Sequence, residues 1–193
     1  MKNERETSFA AEAMPHLNDL YRTALRVVRD AAAAEDIVQE VFLQAWKSYA
    51  SYEPGTNCRA WLYQILFYKI SHHRRALGTQ SKFFQADDEE GTLCARAAAA
   101  QPVAPNLTDE DVIAALDKLP AKARAVVLLA DVEEFDYKQV AQILQIPIGT
   151  VMSRLSRARD QLRRSLAPVA SEYGIKTLIV PRAGEPAASC AAR

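Results

Sequence analysis

The sequence predicts an all-α protein: two small helical domains, an N-terminal helical bundle and a C-terminal helix-turn-helix domain, joined by a flexible linker. Three observations carry that expectation. Apolar residues recur at steps of three and four through both halves, the period of a helix packed on one face. Proline and glycine are absent between Pro15 and Pro54 and again between Gly55 and Gly78, which leaves room for long helices. Between these halves lies a stretch with no sustained amphipathic period, containing Asp87-Asp88-Glu89-Glu90, an alanine run, Pro102 and Pro105. The expected organisation is a first domain over residues 9–77, a linker over 78–106, a second domain over 107–167 and a disordered tail over 168–193.

The first helix fits Pro15 to Arg29, with Leu17, Leu20, Tyr21, Ala24, Leu25 and Val28 on one stripe. Asp30 can cap the second, whose first turn places Glu35 and Asp36 near the positive end of the helix dipole. Its apolar stripe is Ile37, Val38, Val41, Phe42, Ala45, Trp46 and Tyr49. The turn Glu53-Pro54-Gly55-Thr56-Asn57 ends it. A third helix follows, with Trp61, Leu62, Ile65, Leu66 and Ile70 inward and Arg59, Lys69, Arg74 and Arg75 outward. In the second half, helices are expected from Thr108 to Leu119, from Ala121 to about Asp131, from Tyr137 to Leu144 and from Ile148 to Leu166.

Composition bounds the function. With 49% hydrophobic and 25% charged residues the chain has the balance of a folded globular protein. No apolar run reaches the ~18 residues of a membrane span, and the charged start Met1-Lys2-Asn3-Glu4-Arg5-Glu6 leads into no signal core, so a cytoplasmic protein is expected. The three cysteines, Cys58, Cys94 and Cys190, are widely spaced and suggest neither disulfides nor a metal site. The histidines are His16, His72 and His73, and there is no glycine-rich phosphate loop or catalytic carboxylate pair. Catalytic residues, cofactors and metal ligands are therefore not expected.

The zero net charge hides segregation. Pro54 to Ala86 holds five basic residues and no acid, whereas Asp30 to Glu53 holds five acids against Lys47 alone. Leu107 to Tyr137 has eight acids and three bases, and Lys138 to Leu166 has six bases against Asp160. Separate charged stretches imply separate partners, and the basic ones favour nucleic acid.

Tyr137 to Val151 has the spacing of a helix-turn-helix. Small Ala141 allows a close crossing, Val140, Ile143, Leu144 and Ile146 form a hinge core, and Val151 and Leu155 seat the second helix. Ser153 and Arg157, flanked by Arg154 and Arg159, are then available for base edges and phosphates. A plain helical hairpin with a solvated arginine face is the alternative. Gln145 stands where such a turn commonly has glycine. A left-handed residue there costs roughly 1–2 kcal/mol, so a looser turn is expected.

Three motifs together resemble one family. Ala34 to Trp46 looks like the core-polymerase-binding helix of bacterial sigma factors of the extracytoplasmic-function type. Arg59-Ala60-Trp61-Leu62-Tyr63-Gln64-Ile65 resembles the promoter-melting and upstream −10 helix. Leu116-Asp117-Lys118-Leu119-Pro120, with Tyr137 onward to Arg164, is similar to the family's fourth region. The resemblance implies a non-enzymatic specificity subunit of RNA polymerase. Asp36, Gln39, Glu40 and Phe42 would meet the clamp coiled coil of the polymerase, whose flap is a further implied contact. Asn57, Arg59, Lys69, Arg74 and Arg75 would contact the −10 element. Asn57 serves equally well as a base-capturing amide or as an N-cap, and Trp61 reads as core. Ser153, Arg154, Arg157 and Arg159 would contact the −35 element. Promoter DNA, core polymerase and an anti-sigma factor are the implied partners. The competing reading is a self-sufficient two-domain helix-turn-helix regulator.

Overall fold

The computed structural model describes residues 2–53, 55–78 and 109–172. All of the regular structure among them is helical. The expected linker from residue 79 onward, the Thr108 cap and the tail beyond 172 lie outside the described residues.

The first half has four helices. The one absent from the sequence-based expectation is α1, Lys2–Ala13. It is held by Phe9, whose ring meets Trp46 and Tyr49 edge-on at 5.3 and 5.1 Å, and by fully buried Ala13. A turn of 3₁₀-helix, Met14–His16, leads into α2, Leu17–Val28. Arg29 ends α2 in the left-handed conformation (φ 67°) with its N–H on the Leu25 carbonyl. Asp30 then caps α3, Ala31–Ser48, accepting from the Ala33 N–H as its residue type leads one to expect. The helix buries Ala34, Ile37, Val38, Val41 and Ala45 against α2 and against α4, Cys58–Ala76.

Helix α4 differs from its sequence reading. Tyr63 and Phe67 are buried as deeply as Leu62, Leu66 and Ile70, whereas Trp61 and Ile65 are half-buried. The reason is a second neighbour. One flank of α4 packs on α3 and another on the second half of the chain, so no single outward stripe exists.

The second half comprises α5, Asp109–Asp117; α6, Ala121–Val127, ending in a π-helical turn, Leu128–Val132; α7, Tyr137–Leu144; and α8, Ile148–Glu172. Asp136 caps α7 in a complete capping box with Gln139, which accounts for its sharp start. Gln145 adopts the left-handed conformation (φ 54°, ψ 45°), and the Ile146 N–H reaches back to the Ala141 carbonyl. The turn is therefore tight. The closing bond and the buried Ile146 side chain hold a non-glycine residue where a looser turn was expected. Helix α8 also runs past its expected end, continuing through Pro168 to Glu172, with one lost hydrogen bond as the local cost.

Arg124 ties the halves together. It is 3% exposed. Its Nε and Nη2 donate to the carbonyls of Leu116, Asp117 and Leu119, the open C-terminal end of α5, and Nη1 donates to the Arg26 carbonyl in α2. Beside it, Arg29 pairs with Asp117 at 2.9 Å and holds that carboxyl below its usual pKa. Replacing Arg124 with methionine should lower unfolding free energy by about 3 kcal/mol in urea denaturation, because buried carbonyls lose charged donors. A loss under about 1 kcal/mol would show that α5 ends satisfactorily without it. Gln145→Gly should have the opposite sign, raising stability by about 0.5–1 kcal/mol through relief of left-handed strain, less glycine's greater chain entropy. The same denaturation experiment would detect it.

Candidate polymerase and nucleic-acid interfaces

Each group of sequence-predicted residues can be followed to its place. On α3, Asp36, Gln39 and Glu40 are exposed and lie on one face, one helical turn apart. Leu43, 60% exposed, extends that face with an apolar side chain. Phe42 turns partly inward, edge-on to Phe9 at 6.5 Å. An open cleft of 240 Å³ lies beside this face, lined by Leu17, Tyr21, Glu35, Val38 and Gln39 among others. Acidic and amide groups around exposed apolar surface suit a partner that offers basic and apolar groups together.

The loop before α4 is ordered by its own polar groups. The Thr56 hydroxyl donates to the Glu53 carbonyl and the Tyr52 hydroxyl to the Thr56 carbonyl. Tyr52 in turn stacks on Trp61 with ring centres 4.8 Å apart. Exposed Asn57 caps α4, its Oδ1 accepting from the Ala60 N–H at 3.0 Å. Cys58 is buried just behind, and burial pushes its thiol pKa up, away from reactive thiolate.

The four basic residues of α4 do not form one stripe. Lys69 bonds Glu40 at 3.0 Å, which links the predicted −10 group to the predicted polymerase group. Arg75 is exposed and reaches Ser71, whereas Arg74 is half-buried. Arg59 points to the second half. Its Nη2 meets the Glu133 carboxylate at 2.5 Å and its Nη1 the Glu133 carbonyl at 2.8 Å. Its guanidinium also lies over the Phe135 ring, 4.6 Å from the centre.

Along α8 the predicted −35 residues separate by helical angle. Met152, Ser156 and Arg157 are exposed, and Ser153 is half-buried. Arg154 is 8% exposed, on the inner stripe with Val151, Leu155 and Ala158. Its steps of three from Val151 and four to Ala158 are the signal that places it there. Arg159 is paired with Asp131, whose hydrogen bonds raise the guanidinium pKa further. Arg157 is thus the most available arginine of the predicted set.

Glu133 is the residue that sequence reasoning missed. It sits in an acidic stretch that reads as a solvated surface, yet it is buried, with Thr23 donating to it at 2.9 Å and Arg59 beside it. Among the described residues no cluster of side chains could hold a metal ion, and no helix is long and apolar enough to cross a membrane.

Known families match both halves. The model for sigma-70 region 2 matches residues 13–79, and the model for sigma-70 region 4 matches residues 109–162. The chain is 33% identical over 160 residues to the extracytoplasmic-function (ECF) RNA polymerase sigma factor SigE of Mycolicibacterium smegmatis, a match covering 81% of this chain and 61% of that protein. It is 33% identical over 142 residues to the ECF sigma factor EcfG of Rhodopseudomonas palustris, covering 72% of this chain and 74% of the relative. Among solved structures it resembles the sigma factor RpoE of Bartonella quintana, crystallised with the anti-sigma factor NepR. There the TM-score is 0.65 at 31% identity, over 83% of this chain and 97% of the other. With both sigma regions in order and this identity across most of the relatives' length, the chain belongs to the extracytoplasmic-function sigma factors of bacterial RNA polymerase.

Proposed function

We propose that the chain is a cytoplasmic, non-enzymatic subunit that binds core RNA polymerase and directs it to bipartite promoters, and that an anti-sigma factor holds it in check. The observation that carries this reading is the pairing of two distinct surfaces on one chain: the exposed Asp36–Gln39–Glu40–Leu43 face, and a helix-turn-helix presenting Met152, Ser156 and Arg157. A self-sufficient regulator needs the second surface and has no use for the first. The solved complex of the Bartonella sigma factor with NepR supports the expectation of an anti-sigma partner.

In this reading α3 engages the polymerase clamp, and Asn57, Lys69, Arg74 and Arg75, with Arg59 once freed, follow the −10 strand. Asn57 can cap α4 through Oδ1 and still offer its amide N–H₂ to an unstacked base, so its two candidate roles are compatible. On α8, Arg157 with Ser153 reads the −35 element. Arg159, held by Asp131, is a positioned phosphate contact, and buried Arg154 seats the helix.

Two outcomes follow. Asp36→Lys with Glu40→Lys should weaken association with core polymerase, by about 1–3 kcal/mol if the charges face basic groups. Loss of the exposed Lys69 pair should itself cost little. Competition for core enzyme against the wild-type chain measures the effect, and an unchanged affinity of the folded double variant would remove polymerase binding from this face. On α8, Arg157→Ala should relax base preference at one −35 position by about 1–3 kcal/mol. Arg154→Ala should instead lower thermal stability with little change in preference. Transcription by holoenzyme across −35 variants separates the two, and a wild-type preference profile for Arg157→Ala would contradict the assignment.

A further inference from the structure

We infer that Glu133 is a built-in competitor for Arg59: the free protein is latched shut by the contact between them, and promoter engagement requires that latch to open. The inference rests on the proposed promoter-directing function. It concerns the regulation of the −10 surface.

The latch is specific in its geometry. Both terminal nitrogens of Arg59 are committed, one to the Glu133 carboxylate and one to its carbonyl. Thr23 donates to the other carboxylate oxygen at 2.9 Å. Phe135, two residues on, places its ring under the Arg59 guanidinium and edge-on to Tyr63 at 5.0 Å. The loop is shaped for this, since Glu134 between them is left-handed (φ 56°) and turns its two neighbours toward the first half. A guanidinium engaged in this way cannot also fork onto a phosphate or a base edge.

Length rules out promoter engagement in the latched form. Elements named for positions −10 and −35 lie about 25 base pairs apart, on the order of 85 Å at 3.4 Å per pair. Helix α8, the longest of the described residues, measures only about 38 Å over its 25 residues. With Arg59 touching Glu133, α4 and α8 cannot stand over both elements together. The 30 residues from 79 to 108 could span about 100 Å if fully extended, enough for the halves to separate without breaking the chain. Core polymerase, binding both halves at separate places, would supply the opening.

The test uses the full chain with its cysteines replaced (C58A, C94A, C190A) and paired fluorophores at Gln44→Cys and Gln142→Cys, exposed positions on α3 and α7. Glu133→Gln should lengthen the distance between the dyes while circular dichroism stays unchanged. It should also raise affinity for a short mixed-sequence single strand of DNA by about fivefold, as expected if the competent state is a minority. Arg59→Gln, read for distance alone, should open the chain likewise and serves if Glu133→Gln fails to fold. A closed distance in both variants would overturn the latch. An opened Glu133→Gln chain with unchanged DNA affinity would overturn the competition with DNA, and would count against Arg59 as a −10 contact rather than against the closed state.

Discussion

A carboxylate withdrawn from water must be met by donors, and Glu133 finds its donors on the other half of the chain. Much of the arrangement follows from that requirement. Arg59 turns from solvent to reach it, and Thr23 spends its hydroxyl on it from within α2. Phe135 is drawn into contact with Tyr63, and α4 acquires a second buried flank. Whether such a pair adds net stability depends on its desolvation cost, which attraction alone need not offset. Its clearer effect is on registry: the observed docking satisfies the carboxylate, the hydroxyl and both guanidinium nitrogens at once.

The basic residues divide into two populations. Arg124 is spent on four backbone carbonyls and Arg154 is packed on the inner face of α8. Arg157 and Arg75 remain exposed. A basic stretch in the sequence is therefore not the same as a basic surface. The electrostatic footprint presented to DNA by the closed protein is smaller than the residue count suggests, consistent with a subunit that depends on polymerase for most of its promoter affinity.

What could be read in advance was local. The helix-turn-helix is specified within fifteen residues, by the spacing of Val140, Ile143, Leu144, Ile146 and Val151, and α7 keeps the bounds expected for it. Asp30 and Asn57 cap the helices their side chains suit. What escaped depends on contacts distant in sequence. Tyr63 and Phe67 are buried because a second half arrives beside them, and Glu133 because Arg59, seventy-four residues away, neutralises it. Helix α1 escaped for another reason: its charged start hides a helix anchored chiefly by Phe9. Arg154 was legible by helical angle, but its arginine chemistry outweighed its position.

In the proposed function, this chain lends promoter specificity to a polymerase that lacks it. Run-off transcription from a promoter library, with purified core RNA polymerase with and without the chain, tests that claim most directly. The expected result is transcripts from a subset of templates sharing two elements at fixed spacing, formed only when both proteins are present. Template-independent output unchanged by the chain, together with tight promoter binding by the chain alone, would contradict it and would favour a self-sufficient regulator.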